Sequence, residues 1–245
     1  FAAGCKEFEI LDKDLSDQVI ELSHGSTFSG TVTVENGTGL PSGANIVLTD
    51  EKDDNTVSTH LGGYDYDDDD GQIAKKSGDF VIEAVSTGRK FLTVQLQDDD
   101  YYVKSAVVGE TDLIQNPIEF KNSEDIRNVK IVLAKDVGTL KGSIVDESNR
   151  SIPRFSLSLV PTDKTRLRNS SYYRHVKSNE NGEFETKLPP FEYAIVVFPK
   201  SMNKAKREEL IRWLLENIKG AQTFKVEAGK SQNLTIKQKA EPAKK

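Results

Sequence analysis

The chain has 245 residues, of which 36% are hydrophobic and 29% are charged, a composition typical of a folded globular chain and not of a disordered one. Lys and Arg number 33 against 39 Asp and Glu, so the formal net charge is −6. A chain with this charge lacks the excess of basic residues expected of a protein that binds nucleic acid or anionic lipid. At about 100–150 residues per domain, the length predicts two domains.

The cysteine content and the short apolar runs of the chain exclude several kinds of structure. Its single cysteine, Cys5, excludes a disulfide within the chain and any zinc site built from several cysteines. Its apolar runs, such as 195–198, are far shorter than the roughly 20 residues that a membrane-spanning helix needs. The chain does not begin with Met and shows no signal-peptide pattern, which predicts a processed or excised piece.

Short segments rich in β-branched and aromatic residues follow one another from the start of the chain. They are separated by turn residues such as Asn36-Gly37. The predicted strands of the first half contain 31–34, 45–49, 80–82, 91–96, 101–103 and 129–133. Strands of this length and spacing predict an all-β fold of the two-sheet, immunoglobulin-like sandwich type.

The second half repeats the order of the first. Residues 140–145 resemble 28–33, 156–160 resemble 45–49, 182–184 resemble 78–80, 188–193 resemble 85–90, and 233–236 resemble 128–131. Several matches in one order indicate an internal repeat of roughly 110 residues.

The repeat predicts the domain ranges. We expect one sandwich over 23–135, a second over 136–239 and a flexible tail at 240–245. The segment 17–22 resembles the last strand of the first repeat. Residues 1–22 are therefore expected to be either the end of a preceding domain or an extra edge strand on the first sandwich.

One segment, at about 203–219, breaks the β pattern. Its apolar residues fall on one stripe of an amphipathic helix that can end at Gly220. The stripe consists of Leu210, Ile211, Leu214, Leu215 and Ile218. We expect this helix, inserted before the final strands of the second domain, to pack on the second sandwich. The alternative is that it docks a partner, with Trp213 as the anchor.

The turn motifs resemble those of the carboxypeptidase regulatory-like domain. They are Ser77-Gly78-Asp79-Phe80 in the first repeat, and Asn181-Gly182-Glu183-Phe184 and Leu188-Pro189-Pro190-Phe191-Glu192-Tyr193 in the second. The resemblance covers 23–239 and implies tandem transthyretin-like β-sandwiches of an exported bacterial multidomain protein. Phe191 departs from the family, which usually has Gly there. These motifs are turn signatures and imply no catalytic chemistry.

The same motifs have a physical interpretation. We expect Gly78 and Gly182 to adopt a positive φ in tight turns, each before a core aromatic residue. Phe80, Phe184 and Tyr193 are expected to supply buried area between the sheets.

The densest charge in the chain is an acidic loop in the first repeat. Asp65, Asp67 and Asp69 alternate along it, and clustered carboxylates can bind Ca²⁺. The spacing fails the EF-hand pattern, however, and mutual repulsion favours a solvated loop without metal. The predicted cofactor content is therefore none, with calcium as the alternative.

Paired tyrosines offer a second candidate site. Tyr64 and Tyr66 flank the acidic loop, and Tyr101 and Tyr102 are adjacent. Exposed aromatic rings of this kind can form a sugar-binding platform. The other interpretation is that one ring points inward and the next lies at the rim, because successive strand residues alternate faces.

The sequence gives no support for hydrolase chemistry. His24, His60 and His175 are its three histidines, and none lies in a metal-binding pair or near a nucleophile-elbow serine. We therefore predict a non-enzymatic structural or adhesive module of a larger protein that is periplasmic, on the cell surface or secreted. Its expected partners are other domains of the same polypeptide and cell-surface proteins or glycans, with no nucleic acid and no membrane span. The alternatives are a carbohydrate-binding accessory module and a regulatory domain appended to a metallo-carboxypeptidase.

Overall fold

The computed structural model describes residues 19, 24–37, 39–51, 55–61, 64–65, 73–74, 78–199, 202, 205 and 207–238. Of residues 64, 65, 73, 74 and 207 only the backbone is described. The expectations for 1–22 and 240–245 thus lie outside the described residues, apart from Val19, which is exposed.

Strands make up most of the fold. In chain order they are β1 Ser26–Val34, β2 Ala44–Asp50, β3 Thr56–Leu61, β4 Tyr64–Asp65, β5 Ile73–Ala74, β6 Asp79–Val85, β7 Gly88–Gln95, β8 Tyr102–Val108, β9 Thr111–Asp112, β10 Ile118–Phe120, β11 Ile126–Ala134, β12 Gly138–Val145, β13 Ser156–Pro161, β14 Arg174–Lys177, β15 Glu183–Leu188, β16 Glu192–Val196, β17 Thr223–Lys225 and β18 Ser231–Lys237. The α-helix α1 contains Arg207–Asn217, and 3-10 turns lie at Glu35–Gly37, Ser170–Tyr172 and Ile218–Gly220. The predicted all-β class with one helix in the second half is confirmed.

The chain divides into two compact units. One contains the described residues of 1–33, 37–95 and 105–132, and the other contains those of 34–36, 96–104 and 133–245. The domain ranges expected from the sequence stay a prediction.

Each half of the chain supplies the two sheets of one sandwich, and β4 and β5 form a separate two-stranded sheet. The first sandwich has sheets in the order β6-β1-β11-β8-β9 and β10-β7-β2-β3. The second has sheets in the order β15-β12-β18 and β14-β13-β16-β17. The strands β12 to β18 can be matched in chain order to β1, β2, β3, β6, β7, β10 and β11. With this matching, the second set of sheets reproduces the orders β6-β1-β11 and β10-β7-β2-β3. The internal repeat is therefore visible as a repeated strand order.

The repeat extends to backbone contacts. Gly30 pairs with Phe80 across β1 and β6, and Gly142 pairs with Phe184 across β12 and β15. The amide of Val32 donates to the carbonyl of Gly78 at 2.7 Å, and the amide of Ile144 donates to that of Gly182 at 2.7 Å. Equivalent residues thus make equivalent bonds.

The two turn glycines are required for different reasons. Gly182 has φ of +79°, which confirms the prediction of a positive φ. The same prediction is wrong at Gly78, which does not have a positive φ. There a side chain would overlap the carbonyl oxygen of Val32, so glycine is needed for the close approach of two backbone segments.

Large apolar side chains fill both sandwiches. In the first, the Phe28 ring lies 5.6 Å from Phe80 and 5.9 Å from Phe120 between ring centroids. In the second, the core between the sheets contains Phe184 and Tyr193. Phe80, Phe184 and Tyr193 are all buried, as predicted.

Helix α1 packs on the second sandwich, as predicted. It is shorter than the predicted 203–219, and the chain passes from Asn217 into the 3-10 turn that ends at Gly220. Leu214, which is fully buried, and Ile218 join a cluster with Val160 and Ala194. Alternate residues of β13 and β16, such as Leu159 and Ile195, belong to the core between the sheets. The helix therefore covers the outer face of the four-stranded sheet.

Candidate functional site: the three-stranded sheet of the second sandwich

The first and last strands of the second sandwich lie side by side. β12 and β18 are parallel, and their register runs from Thr139 opposite Ser231 to Val145 opposite Lys237. Main-chain bonds continue at both ends, where the Thr139 amide donates to Lys230 O and the Gln238 amide donates to Val145 O, both at 2.9 Å. The strand that enters this sandwich is thus joined along its whole length to the strand that leaves it.

Strand β15 pairs with the other side of β12, and the three strands line a groove with a volume of about 510 Å³. Lys141 and Glu185 form an ion pair at 3.7 Å across β12 and β15. The Ser143 and Thr235 hydroxyls lie 3.3 Å apart across β12 and β18. Asn179, Glu183 and Asn233 add amide and carboxylate groups to the lining. The groove therefore presents ammonium, carboxylate, amide and hydroxyl groups on one face of the sheet.

Phe191 lies at the centre of an aromatic cluster in the second unit. Tyr102 and Tyr172 meet its ring edge to face, with centroids at 5.6 and 5.5 Å. The Arg166 guanidinium lies 4.4 Å from the centroid of the same ring, as in a cation–π contact. Phe191 therefore has a packing role in this unit.

Tyr101 and Tyr102, two of the tyrosines predicted as a sugar platform, lie inside the fold. Both side chains are buried, at 7% and 6% exposure. The Tyr102 hydroxyl donates to Asp136 Oδ1 at 2.9 Å, and burial together with this bond raises the pKa of the phenol. Lys135 Nζ lies 5.0 Å from the centroid of the Tyr101 ring. Neither ring offers an open face to a sugar.

The remaining predicted site residues fall in the acidic loop. The backbones of Tyr64 and Asp65 form β4, which pairs with β5. Their side chains, and all of Tyr66, Asp67 and Asp69, lie outside the described residues. The calcium alternative and the tyrosine platform at this loop therefore stay predictions.

One serine and one histidine lie within hydrogen-bond distance, as in a catalytic pair, but the serine is buried. Ser158 Oγ and His175 Nδ1 lie 2.7 Å apart across β13 and β14. Ser158 is only 3% exposed, so its hydroxyl cannot reach a substrate carbonyl. Within the described residues no group of three His, Cys, Asp or Glu side chains could hold a metal ion. The pair is best understood as a cross-strand contact.

Trp213 lies at the edge of the helix cluster, not apart from it. Its ring is half-buried and lies 5.3 Å from that of Phe198. It therefore packs as part of the fold, as the first interpretation of the helix requires.

The three-stranded sheet was not predicted as a site from the sequence. The signal was available in the alternation of polar with apolar residues along 231–237, where Asn233 and Thr235 flank Leu234. Arg166 was also missed, because only the fold brings its guanidinium onto Phe191.

Comparisons with known proteins give structural matches only. No protein-family model matches the chain, and no curated protein matches it. The Bacillus anthracis TIE protein is similar at a TM-score of 0.29 and 15% identity, over 87% of this chain and 33% of that one, so this chain spans about a third of its length. A streptococcal ancillary pilin is similar at a TM-score of 0.33 and 13% identity, over 96% of this chain and 69% of that one. The minor pilin GBS52 of Streptococcus agalactiae is similar at a TM-score of 0.31 and 10% identity, over 90% of this chain and 98% of that one.

Structural similarities with TM-scores this low support no conclusion about this chain. The fold is therefore described from its own strand order. The carboxypeptidase regulatory-like assignment remains a resemblance of turn motifs. Among the described residues, no helix is long and apolar enough to cross a membrane.

Proposed function

We propose that the chain is a non-enzymatic spacer of a larger exported protein, in which its second sandwich resists tension applied along the chain. The observation that carries the proposal is the parallel pairing of β12 with β18. The chain enters the pair near Gly138 and leaves it near Lys237, at the opposite end of the ladder. Tension between these points pulls the two strands along their own axes in opposite directions.

This geometry loads the hydrogen bonds of the ladder together. The bonds of a parallel pair are evenly spaced, and a force along the strands is shared among them. A strand pulled sideways from one end would instead lose its bonds one after another. The second sandwich is therefore expected to be strong in the direction in which a spacer is pulled.

The experiment is single-molecule force spectroscopy with two attachment geometries. Exposed lysines serve as sites in a chain that carries Cys5→Ser. The variant Lys135→Cys/Lys237→Cys pulls the ladder in shear, and Lys135→Cys/Lys230→Cys pulls the same strands apart from one end. We expect a clearly higher unfolding force in shear at the same loading rate. Equal forces in the two geometries would overturn the tension-resisting role.

Variants of neighbouring residues provide a second check. Gln232→Pro removes an amide that points toward β12, whereas Asn233→Pro removes one that points away from it. The first variant should lower the shear force more than the second. A hydrolytic activity of the purified chain that is lost on a single substitution would refute the non-enzymatic part of the proposal.

A carbohydrate-binding accessory role is the second candidate, and the groove on β12, β15 and β18 favours it. Asn233 and Glu183 would supply hydrogen bonds to sugar hydroxyls. A glycan array with the wild-type chain and the Asn233→Ala variant tests this role. Binding that the variant loses supports it, and no binding at millimolar saccharide removes it.

A further inference from the structure

The two sandwiches differ at one sheet edge. In the first, β11 is followed by β8 and β9, so both of its sides are paired. In the second, the equivalent strand β18 ends the sheet formed by the described residues. An unpaired edge strand presents a row of free amides and carbonyls that can pair with another chain.

The difference arises from one connection in the repeat. Between β7 and β10 the chain forms β8 and β9, which extend the sheet beyond β11. At the equivalent place, between β16 and β17, it forms α1 instead. Because α1 packs with Val160 and Ala194 on the four-stranded sheet, it leaves the edge of β18 open.

The direction of each main-chain group of β18 follows from two hydrogen bonds. Lys230 O and the Gln238 amide both point to β12. Successive residues of a strand direct their main-chain groups to opposite sides, so those of Gln232, Leu234 and Ile236 also point to β12. The groups that face the open edge are those of Ser231, Asn233, Thr235 and Lys237.

Burial along the strand agrees with an uncovered edge. Val129 in β11 is fully buried, and its counterpart in the repeat is Leu234. Leu234 is only half-buried, although it packs against the core of the second sandwich. Additional cover over Leu234 would therefore bury apolar surface.

The occupant that best fits this edge is β18 of a second copy. In an antiparallel pair centred on Leu234, Asn233 lies opposite Thr235 and Ser231 lies opposite Lys237. Each of these pairs would exchange two main-chain hydrogen bonds, because all four residues face the edge. The two Leu234 side chains would meet at a non-hydrogen-bonded position, where cross-strand side chains come closest.

Charge also permits this pairing. Lys237 is the single charged residue of Ser231–Lys237, and its partner would be the neutral Ser231 of the other copy. No like charges lie directly opposite each other, so the strand is complementary to itself. We propose that two copies of the chain associate through antiparallel pairing of their β18 edges, which joins two three-stranded sheets into one continuous sheet.

The test is the oligomeric state of the full chain over a range of concentrations. Light scattering after size exclusion and sedimentation equilibrium should show a monomer that converts to a dimer between micromolar and millimolar chain. Thr235→Pro removes an edge-facing amide without removing a bond to β12, and it should abolish the dimer. Thr235→Val keeps the amide and is the matched control, expected to dimerise like the wild type.

Hydrogen exchange on the wild-type chain tests the proposal without any variant. The amides of Leu234 and Ile236 should be protected at every concentration, because they face β12. Those of Asn233 and Thr235 should become protected only as the dimer forms. A chain that stays monomeric overturns the proposal, whether its edge amides remain open or are protected by a strand from within the chain. A dimer that survives Thr235→Pro also overturns it.

Discussion

At the scale of single residues, the first sandwich contains an ion pair whose lysine is buried. Lys90 is 3% exposed, and its Nζ lies 2.9 Å from Asp50 Oδ2 and 3.0 Å from Ser86 Oγ. Lys90 and Asp50 are direct partners across β7 and β2. The Asp50 side chain is 15% exposed, so replacing Lys90 would leave its carboxylate without this cation in a position that is only partly desolvated.

We therefore expect Lys90→Met to lower the free energy of unfolding by about 1–3 kcal/mol. Lys90→Met/Asp50→Leu should recover part of this loss, because it also removes the carboxylate that has lost its cation. Urea unfolding of both variants measures the difference. A double variant no more stable than the single one would show that the lysine acts through packing instead of charge.

Asp146 links the same scale to pH. Its Oδ1 accepts from the amides of Ser148 and Arg150 at 2.8 and 2.9 Å, and its Oδ2 accepts from Arg150 Nε at 2.8 Å. The Arg150 amide contributes most to a pKa below that of an ordinary Asp carboxyl. The ionised form stabilises the fold above the unfolded pKa of about 3.9, and this contribution is lost as the pH falls through the folded pKa.

Asp146→Asn should therefore lower the melting temperature at neutral pH, and the gap to the wild type should narrow as the pH falls below about 4. Glu147 is exposed beside it, so Glu147→Gln is the control and should change little. Thermal melts over a pH series measure both variants. A gap that stays constant with pH would mean that the carboxylate charge plays no part.

At the scale of elements, two neighbouring leucines of helix α1 differ in how deeply they are buried. Leu214 is fully buried against the outer face of the four-stranded sheet, whereas Leu215 is only half-buried. Leu214→Ala should cost about 3 kcal/mol of unfolding free energy, and Leu215→Ala clearly less. Both variants keep the helix propensity high, so denaturant unfolding compares packing alone. Equal losses would contradict the orientation of the helix.

The succession of strands along the chain and its repetition are the parts of the fold that the sequence predicts best. Turn motifs such as Asn181-Gly182-Glu183-Phe184 recur, because each repeat needs the same close turn before a core aromatic residue. The sheet edge at β18 could not be predicted in this way. Whether a connection becomes β8 or α1 changes which edge is covered, and that depends on contacts between residues far apart in the chain. The burial of both Tyr101 and Tyr102 could not be predicted for the same reason, because it depends on such distant contacts.

At the scale of the whole molecule, the net charge of −6 determines how added ions should change the melting temperature. Added salt screens the self-repulsion of an acidic chain without needing a site. The sequence favours a solvated acidic loop, so the melting temperature in millimolar calcium should equal that in magnesium at the same ionic strength. Both should also equal the value in chelator with matched salt.

A true calcium site would behave differently, because a ligand that binds the folded chain alone stabilises it in proportion to the logarithm of its concentration. The variant Asp65→Asn/Asp67→Asn/Asp69→Asn separates the two cases. If calcium raises the melting temperature of the wild type above the magnesium value and the variant loses that rise, the loop binds the ion and the expectation of no cofactor is wrong. If the rise persists in the variant, calcium binds elsewhere on the chain. Only equal curves for all three solutions agree with a loop that is charged, hydrated and free of metal.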